Sequence, residues 1–153
     1  MPEAIMEARN LTKRFRSRTH GHRLFTAVDG ANLCLYPGET VGLLGESGSG
    51  KSTLGQMMTG LLRPDGGELL FKGAPLKYPF RGEAQRKIQI LFQHPEVSFN
   101  PMLTLRRSLV EPFRLMGLPS DDGALISCIG PFGLHEEHLH RTPGELSGGG
   151  LQR

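Results

Sequence analysis

Tryptophan is absent from this 153-residue chain, and tyrosine and cysteine occur only twice each. Cys34 and Cys128 lie far apart, with no CxxC around either. Neither a disulfide framework nor a zinc knuckle is therefore implied, and both are expected to be buried small hydrophobes. No run approaches the roughly 18 consecutive apolar residues of a helical membrane span. Glu3, Glu7 and Arg9 stand where a signal peptide would carry its apolar stretch, so a soluble chain that starts in the cytosol is expected. Internal repeats and long linkers are also missing. The 21 glycines and 11 prolines fall short of a low-complexity composition, while 37% apolar and 22% charged residues exclude wholesale disorder and collagen. The length fits one domain.

The net charge of +3 is mildly basic, with Lys13, Arg14, Arg16, Arg18 and Arg23 clustered near the start. A nucleic-acid face can look like this. However, no interleaved aromatic platform accompanies the cluster, and no RNP, helix-turn-helix or zinc-finger spacing is present. It reads as a solvated loop, and nucleic acid is not an expected partner. His135, His138 and His140 with Glu136 and Glu137 invite a metal reading. HExxH needs its histidines at i and i+4, whereas these fall at i+3 and i+5, so a solvated polar segment is expected. His20-Gly21-His22 fares no better.

Along the chain, Ile5 to Leu11 reads as a strand, and Ala31 to Tyr36 alternates as another, closed by a Pro37-Gly38 turn. Thr40 to Leu44 is a short apolar run of the kind a buried strand shows. Leu54, Met57, Met58, Leu61 and Leu62 then share one face of a helix that starts near Lys51 and ends at Gly60 or Pro64. A turn over 63–67, a strand over Glu68 to Phe71 and another over Ile88 to Phe92 follow. Leu105, Leu109, Phe113 and Met116 share a helical face that Pro112 should kink or break. Ser120-Asp121-Asp122 caps a second helix carrying Leu125, Ile129 and Phe132.

The strongest signal is Gly45-Glu46-Ser47-Gly48-Ser49-Gly50-Lys51-Ser52-Thr53, which fits GxxxxGK[ST] and sits between an expected strand and an expected helix. Glycines let successive amide N–H groups face a phosphate chain, and the helix that begins at Lys51 adds its positive dipole end. Lys51 brings a point charge to the β- and γ-phosphates. The Ser52 hydroxyl is a hard oxygen ligand of the kind Mg²⁺ prefers. ATP and Mg²⁺ are the expected cofactors.

Downstream, Leu146-Ser147-Gly148-Gly149-Gly150-Leu151-Gln152-Arg153 would by itself read equally as a flexible linker. Physically, Ser147 is a good helix N-cap and the glycines expose N–H groups. Taken with the phosphate loop and with Gln93 between them, the segment resembles the LSGGQ signature of ATP-binding cassette (ABC) transporter ATPases, followed by QR. Gly150 stands where the family has Gln. Phe92-Gln93-His94-Pro95 with Ser98-Phe99-Asn100-Pro101 resembles the Q-loop of the oligopeptide, dipeptide and nickel importer branch, His94 replacing its usual Asp. Ala27 to Gly30, Tyr36 to Thr40 and Glu111-Pro112 point to the same branch.

That resemblance implies an α/β fold: a P-loop NTPase core with an N-terminal antiparallel β subdomain and a helical subdomain, the C-terminal part of the ABC ATPase fold being missing. The division is expected at 1–92 (β subdomain and P-loop core) and 93–153 (Q-loop, helical subdomain and signature). By the same resemblance Gln93 reaches the Mg²⁺ and γ-phosphate region beside Ser52. Ser147, Gly148 and Gly149 face the ATP of a second, head-to-tail ATPase subunit. An upstream aromatic stacks on adenine; Phe15 matches its place best, Phe25 is the alternative, and a plain core Phe stays open. The implied function is that of the ATP-binding subunit of an importer of peptides or a related small solute such as nickel. It would lie peripherally on the cytoplasmic side of the inner membrane, beside transmembrane permease subunits and served indirectly by a solute-binding protein. The sequence ends before the family's Walker B Asp, catalytic Glu and switch His, so no catalytic residue is assigned and hydrolysis is expected at background. A P-loop kinase or GTPase has no use for the SGG and Q-loop patterns. A non-transport ABC ATPase acting on ribosomes or nucleic acid would share every motif, and the SxNP after the Q-loop argues against it.

Overall fold

The computed structural model describes residues 3–16, 23–92 and 98–152. Gln93, His94 and Pro95 of the Q-loop pattern, Arg18 and His20-Gly21-His22 lie outside the described residues. The chain divides into two compact units, Met1–Ile90 and Leu91–Arg153.

In the first unit, β1 (Met6–Arg16) runs between β2 (Leu24–Leu35) and β3 (Gly66–Phe71), and the short β4 (Ala74–Pro75) follows β3. Among the described residues these form one antiparallel sheet of order β2-β1-β3-β4. Met6 pairs with Leu35 on one side and Phe71 on the other, and Ala8 pairs with Leu33 and Leu69. The register slips after Ala8 and Arg9, where Asn10 takes a positive φ of 51°. Gly67 lies against this bulge: a Cβ there would stand 2.3 Å from the Asn10 carbonyl oxygen and 2.4 Å from that of Arg9. Only glycine fits so close a backbone approach.

α1 (Lys51–Met58) lays Met57 and Met58 on the sheet, where they pack with Met6, Ala8, Leu11 and Leu69. Leu11, Met57 and Leu69 are fully buried, each contributing about 1.5–3 kcal/mol of apolar burial. Leu61, expected on the buried face, is exposed because the helix has ended at Met58. Tyr78 donates its hydroxyl to the Met57 carbonyl (2.7 Å), and burial pushes its pKa up to about 12. α2 (Gly82–Lys87), a short charged helix, adds Ala84 to this core.

In the second unit α3 (Leu105–Met116), α4 (Asp122–Ile129) and α5 (Glu136–Leu139) close around Leu105, Leu125, Ile129, Leu134 and Leu139. Thr104 caps α3 by accepting from the Arg107 N–H, and Asp121 caps α4 by accepting from Ala124. His138 Nδ1 accepts from the His135 N–H, closing the first turn of α5. α6 (Gly148–Gln152) ends the described chain.

Several expectations are corrected. Thr40–Leu44 and Ile88–Phe92 are not strands: no segment among the described residues forms a ladder with either, and Leu44 and Leu91 are 97% and 87% exposed. An apolar run or an apolar alternation marks a strand only when a neighbour supplies hydrogen bonds. Pro112 does not break α3, which runs unbroken from Leu105 to Met116. α4 stops at Ile129, so Phe132 falls in a 3-10 turn and is exposed. Cys128 is exposed and Cys34 half-buried, so neither is the core residue its size suggested.

Candidate nucleotide site

The loop that precedes α1 is folded on its own lysine. Lys51 Nζ donates to the carbonyl oxygens of Gly45 (2.8 Å) and Glu46 (2.7 Å) and more weakly to Ser49 Oγ (3.4 Å). The Ser49 N–H closes a turn on the Glu46 carbonyl at 3.2 Å. Gly50 is the N-cap of α1, with φ 92° and ψ 0°, and its lack of a side chain is required. A Cβ would stand 2.2 Å from the Ala27 carbonyl oxygen on β2.

No side chain caps α1, and no acidic residue occupies its first turn. The N–H groups of Lys51, Ser52 and Thr53 lie ahead of the first intrahelical bond, which Leu54 makes to Gly50 at 2.9 Å. Unsatisfied donors at a positive dipole end favour an anion. They open onto a cavity of about 600 Å³ lined by Ser47, Gly48, Gly50, Lys51, Ser52 and Thr53, with Phe15, Phe25 and Ala27 on β1 and β2. The Phe15 and Phe25 rings pair across the two strands with centroids 5.7 Å apart. Phe25 is 53% exposed. Donors at one part of the cavity and aromatic rings at another suit a ligand with a polyanionic part and a flat apolar part. Among the described residues no carboxylate lines the cavity.

Phe15, Ser47, Gly48 and the residues from Gly50 to Thr53 are thus brought together, with Gly45, Glu46 and Ser49 holding Lys51 rather than lining the space. Gln93 lies outside the described residues. Ser147, Gly148 and Gly149 belong to the second unit. There Ser147 Oγ accepts from the Gly150 N–H (3.1 Å) and its carbonyl from Leu151 (3.0 Å), so it caps the five-residue α6. A Cβ at Gly150 would stand 3.2 Å from Ser147 Oγ. Glu145 is spoken for: its carboxylate accepts from the Thr142 N–H (2.7 Å) and hydroxyl (2.8 Å), which hold its pKa below the ordinary value.

Sequence reasoning missed Ala27, whose carbonyl limits the loop at Gly50, and Lys13, whose ammonium lies 5.8 Å from the Phe15 ring centroid. Ala27 could not be read from spacing because its contact joins β2 to a turn far along the chain, and Lys13 could not because the partners that hold it, Arg63 and Asp65, lie some fifty residues away.

The family model for the ABC transporter matches residues 28–153. The chain belongs to the ABC transporter family. It is 40% identical to the glutathione import ATP-binding protein GsiA of Escherichia coli (strain K12), over 99% of this chain and 26% of GsiA. Among solved structures it superposes on the dimeric ABC transporter cassette MJ0796, including a post-hydrolysis state bound to ADP and Pi. The TM-score is 0.75 and the identity 26%, over 96% of this chain and 65% of the cassette. CbiO1 from Clostridium perfringens, part of the ABC transporter complex CbiONQ, shares the fold with a TM-score of 0.64 at 24% identity, over 98% of this chain and 59% of CbiO1. The fold is therefore that of the ABC ATPase cassettes, an α/β P-loop NTPase architecture. The chain spans about a quarter of the length of its curated relatives.

Proposed function

We propose that this chain is the nucleotide-binding part of an ABC importer's ATP-binding subunit and takes Mg-ATP in the cavity beside the phosphate loop. What supports this reading is the joining, in one cavity, of the uncapped start of α1 and Lys51 with the Phe15–Phe25 pair. The triphosphate would lie on the N–H groups of Lys51, Ser52 and Thr53 at the start of α1 and the base on the aromatic pair. Ser52 makes no side-chain hydrogen bond among the described residues and would be a ligand to Mg²⁺, together with Gln93. The ion would neutralise phosphate charge and keep its remaining positions for water.

The importer reading rests on the likeness to GsiA, whose name assigns it glutathione import, and on the importer-like pattern around Gln93. The cargo would be a peptide or a related small solute such as nickel. Transmembrane permease subunits would be the direct partners, with a solute-binding protein acting through them, and the subunit would sit peripherally on the cytoplasmic side of the inner membrane. Ser147, Gly148 and Gly149 would face the nucleotide of a second ATPase subunit, as the dimeric form of MJ0796 suggests.

Calorimetric titration of the purified chain with Mg-ATP tests the site. Lys51→Ala removes both the cation and the tie that closes the loop on Gly45 and Glu46, and binding is expected to vanish. Equal affinity of the two proteins would overturn the assignment.

A further inference from the structure

Lys13 takes no part in the phosphate loop, yet its side chain is only 14% exposed and its ammonium is fully engaged. It donates to the Arg63 carbonyl (2.8 Å) and to Asp65 Oδ1 (2.9 Å), while lying 5.8 Å from the centroid of the Phe15 ring. Asp65 in turn accepts the Arg14 N–H on Oδ2 (2.8 Å) and donates its own N–H to the Thr12 carbonyl (2.9 Å). The turn after α1 therefore clamps β1 at residues 12–14, immediately before Phe15. An ammonium within about 6 Å of an aromatic face is attracted to it, and one held by a carboxylate and a carbonyl fixes the ring in return.

We propose that Lys13 is a positioning residue for the aromatic end of the cavity: anchored to Arg63 and Asp65, it holds the Phe15–Phe25 pair in place and so sets the preference for phosphate ligands that carry a purine base. This rests on the nucleotide reading of the cavity. Lys13 touches neither the loop nor its donors, so its effect is confined to the base and leaves the phosphates alone.

The test compares ATP with inorganic triphosphate, both with Mg²⁺, by calorimetry at 0.15 M salt, where a Debye length of about 8 Å damps any general effect of charge removal. Lys13→Met keeps the aliphatic stem and removes the ammonium. ATP affinity is expected to fall about two- to fivefold, the range of an exposed to partly buried cation–ring contact, with triphosphate affinity unchanged. Lys13→Arg, which can reach the same carboxylate and ring, should restore ATP affinity. Asp65→Asn, which keeps an acceptor for the Arg14 N–H and removes the carboxylate from the ammonium's two anchors, should give a smaller loss with the same selectivity for the base; it serves as the deciding variant if Lys13→Met does not fold. An equal fall for both ligands would reduce Lys13 to a structural role, and no change for either would remove it altogether. Failure of the native protein to bind either ligand would instead overturn the nucleotide reading, and this inference with it.

Discussion

Gly48 and Gly50 offer a matched pair in which a single contact can be isolated. Both have positive φ, 83° and 92°, so alanine at either position meets similar backbone strain, roughly 1–2 kcal/mol. The same replacement also restricts the unfolded chain equally in the two cases. Their surroundings differ. At Gly48 nothing lies within 4 Å of an added Cβ, whereas at Gly50 it would meet the Ala27 carbonyl oxygen at 2.2 Å and Val28 Cγ2 at 3.2 Å. Backbone cannot rotate aside as a side-chain tip can, so the loop or β2 must give way by most of an ångström. Forced shifts of that kind cost about 1–3 kcal/mol beyond the shared strain. At roughly 4–8 °C per kcal/mol for a unit of this size, Gly50→Ala should melt about 4–24 °C below Gly48→Ala. Thermal unfolding followed by circular dichroism measures the gap. Melting temperatures within about 2 °C of each other would refute the claim that Gly50 is fixed by its approach to β2.

Leu125, fully buried on the inner face of α4, should cost about 2–5 kcal/mol when replaced by Ala, read as an earlier denaturant midpoint for the second unit. The Asp65 carboxyl is held below its ordinary value of 3.8, first by the Arg14 N–H and then by Lys13. Because its native pKa is depressed, its contribution to stability is present above about pH 4 and lost as the pH falls through the native value. The difference in melting temperature between the native chain and Asp65→Asn should therefore shrink on acidification from pH 6 to pH 2, and a difference that stays constant would sink the assignment.

Local chemistry was the most readable part of this chain. The start of α1 at Lys51, the cap at Asp121 and the turn at Pro37-Gly38 follow from residue types whose backbone preferences act within a few positions. Strand assignment failed at Thr40–Leu44 and Ile88–Phe92 because a strand is a relation between two segments, and neither the apolar run of the first nor the alternation of the second contains its partner. α2 escaped notice for the opposite reason: Gly82–Lys87 is short and charged, carries Ala84 as its one buried residue, and offers no apolar period to detect. At the candidate site, the spacing of Gly45 to Thr53 identified the loop but not what shapes it. The Ala27 carbonyl at Gly50 and the Lys13–Asp65 clamp both span strands and turns far apart in the sequence.

Lys51 acts as a resident guest of its own loop. With its ammonium lodged on the carbonyls of Gly45 and Glu46, the loop is wrapped around a positive charge of its own. The entropy of ordering these residues is spent during folding, so an incoming polyanion meets a mould that is already set. A substitution at Lys51 therefore perturbs the mould as well as the charge. A loss of binding in Lys51→Ala is thus the sum of two losses, whereas Lys51→Arg would keep the charge while testing whether a broad, planar head can be housed between the same two carbonyls.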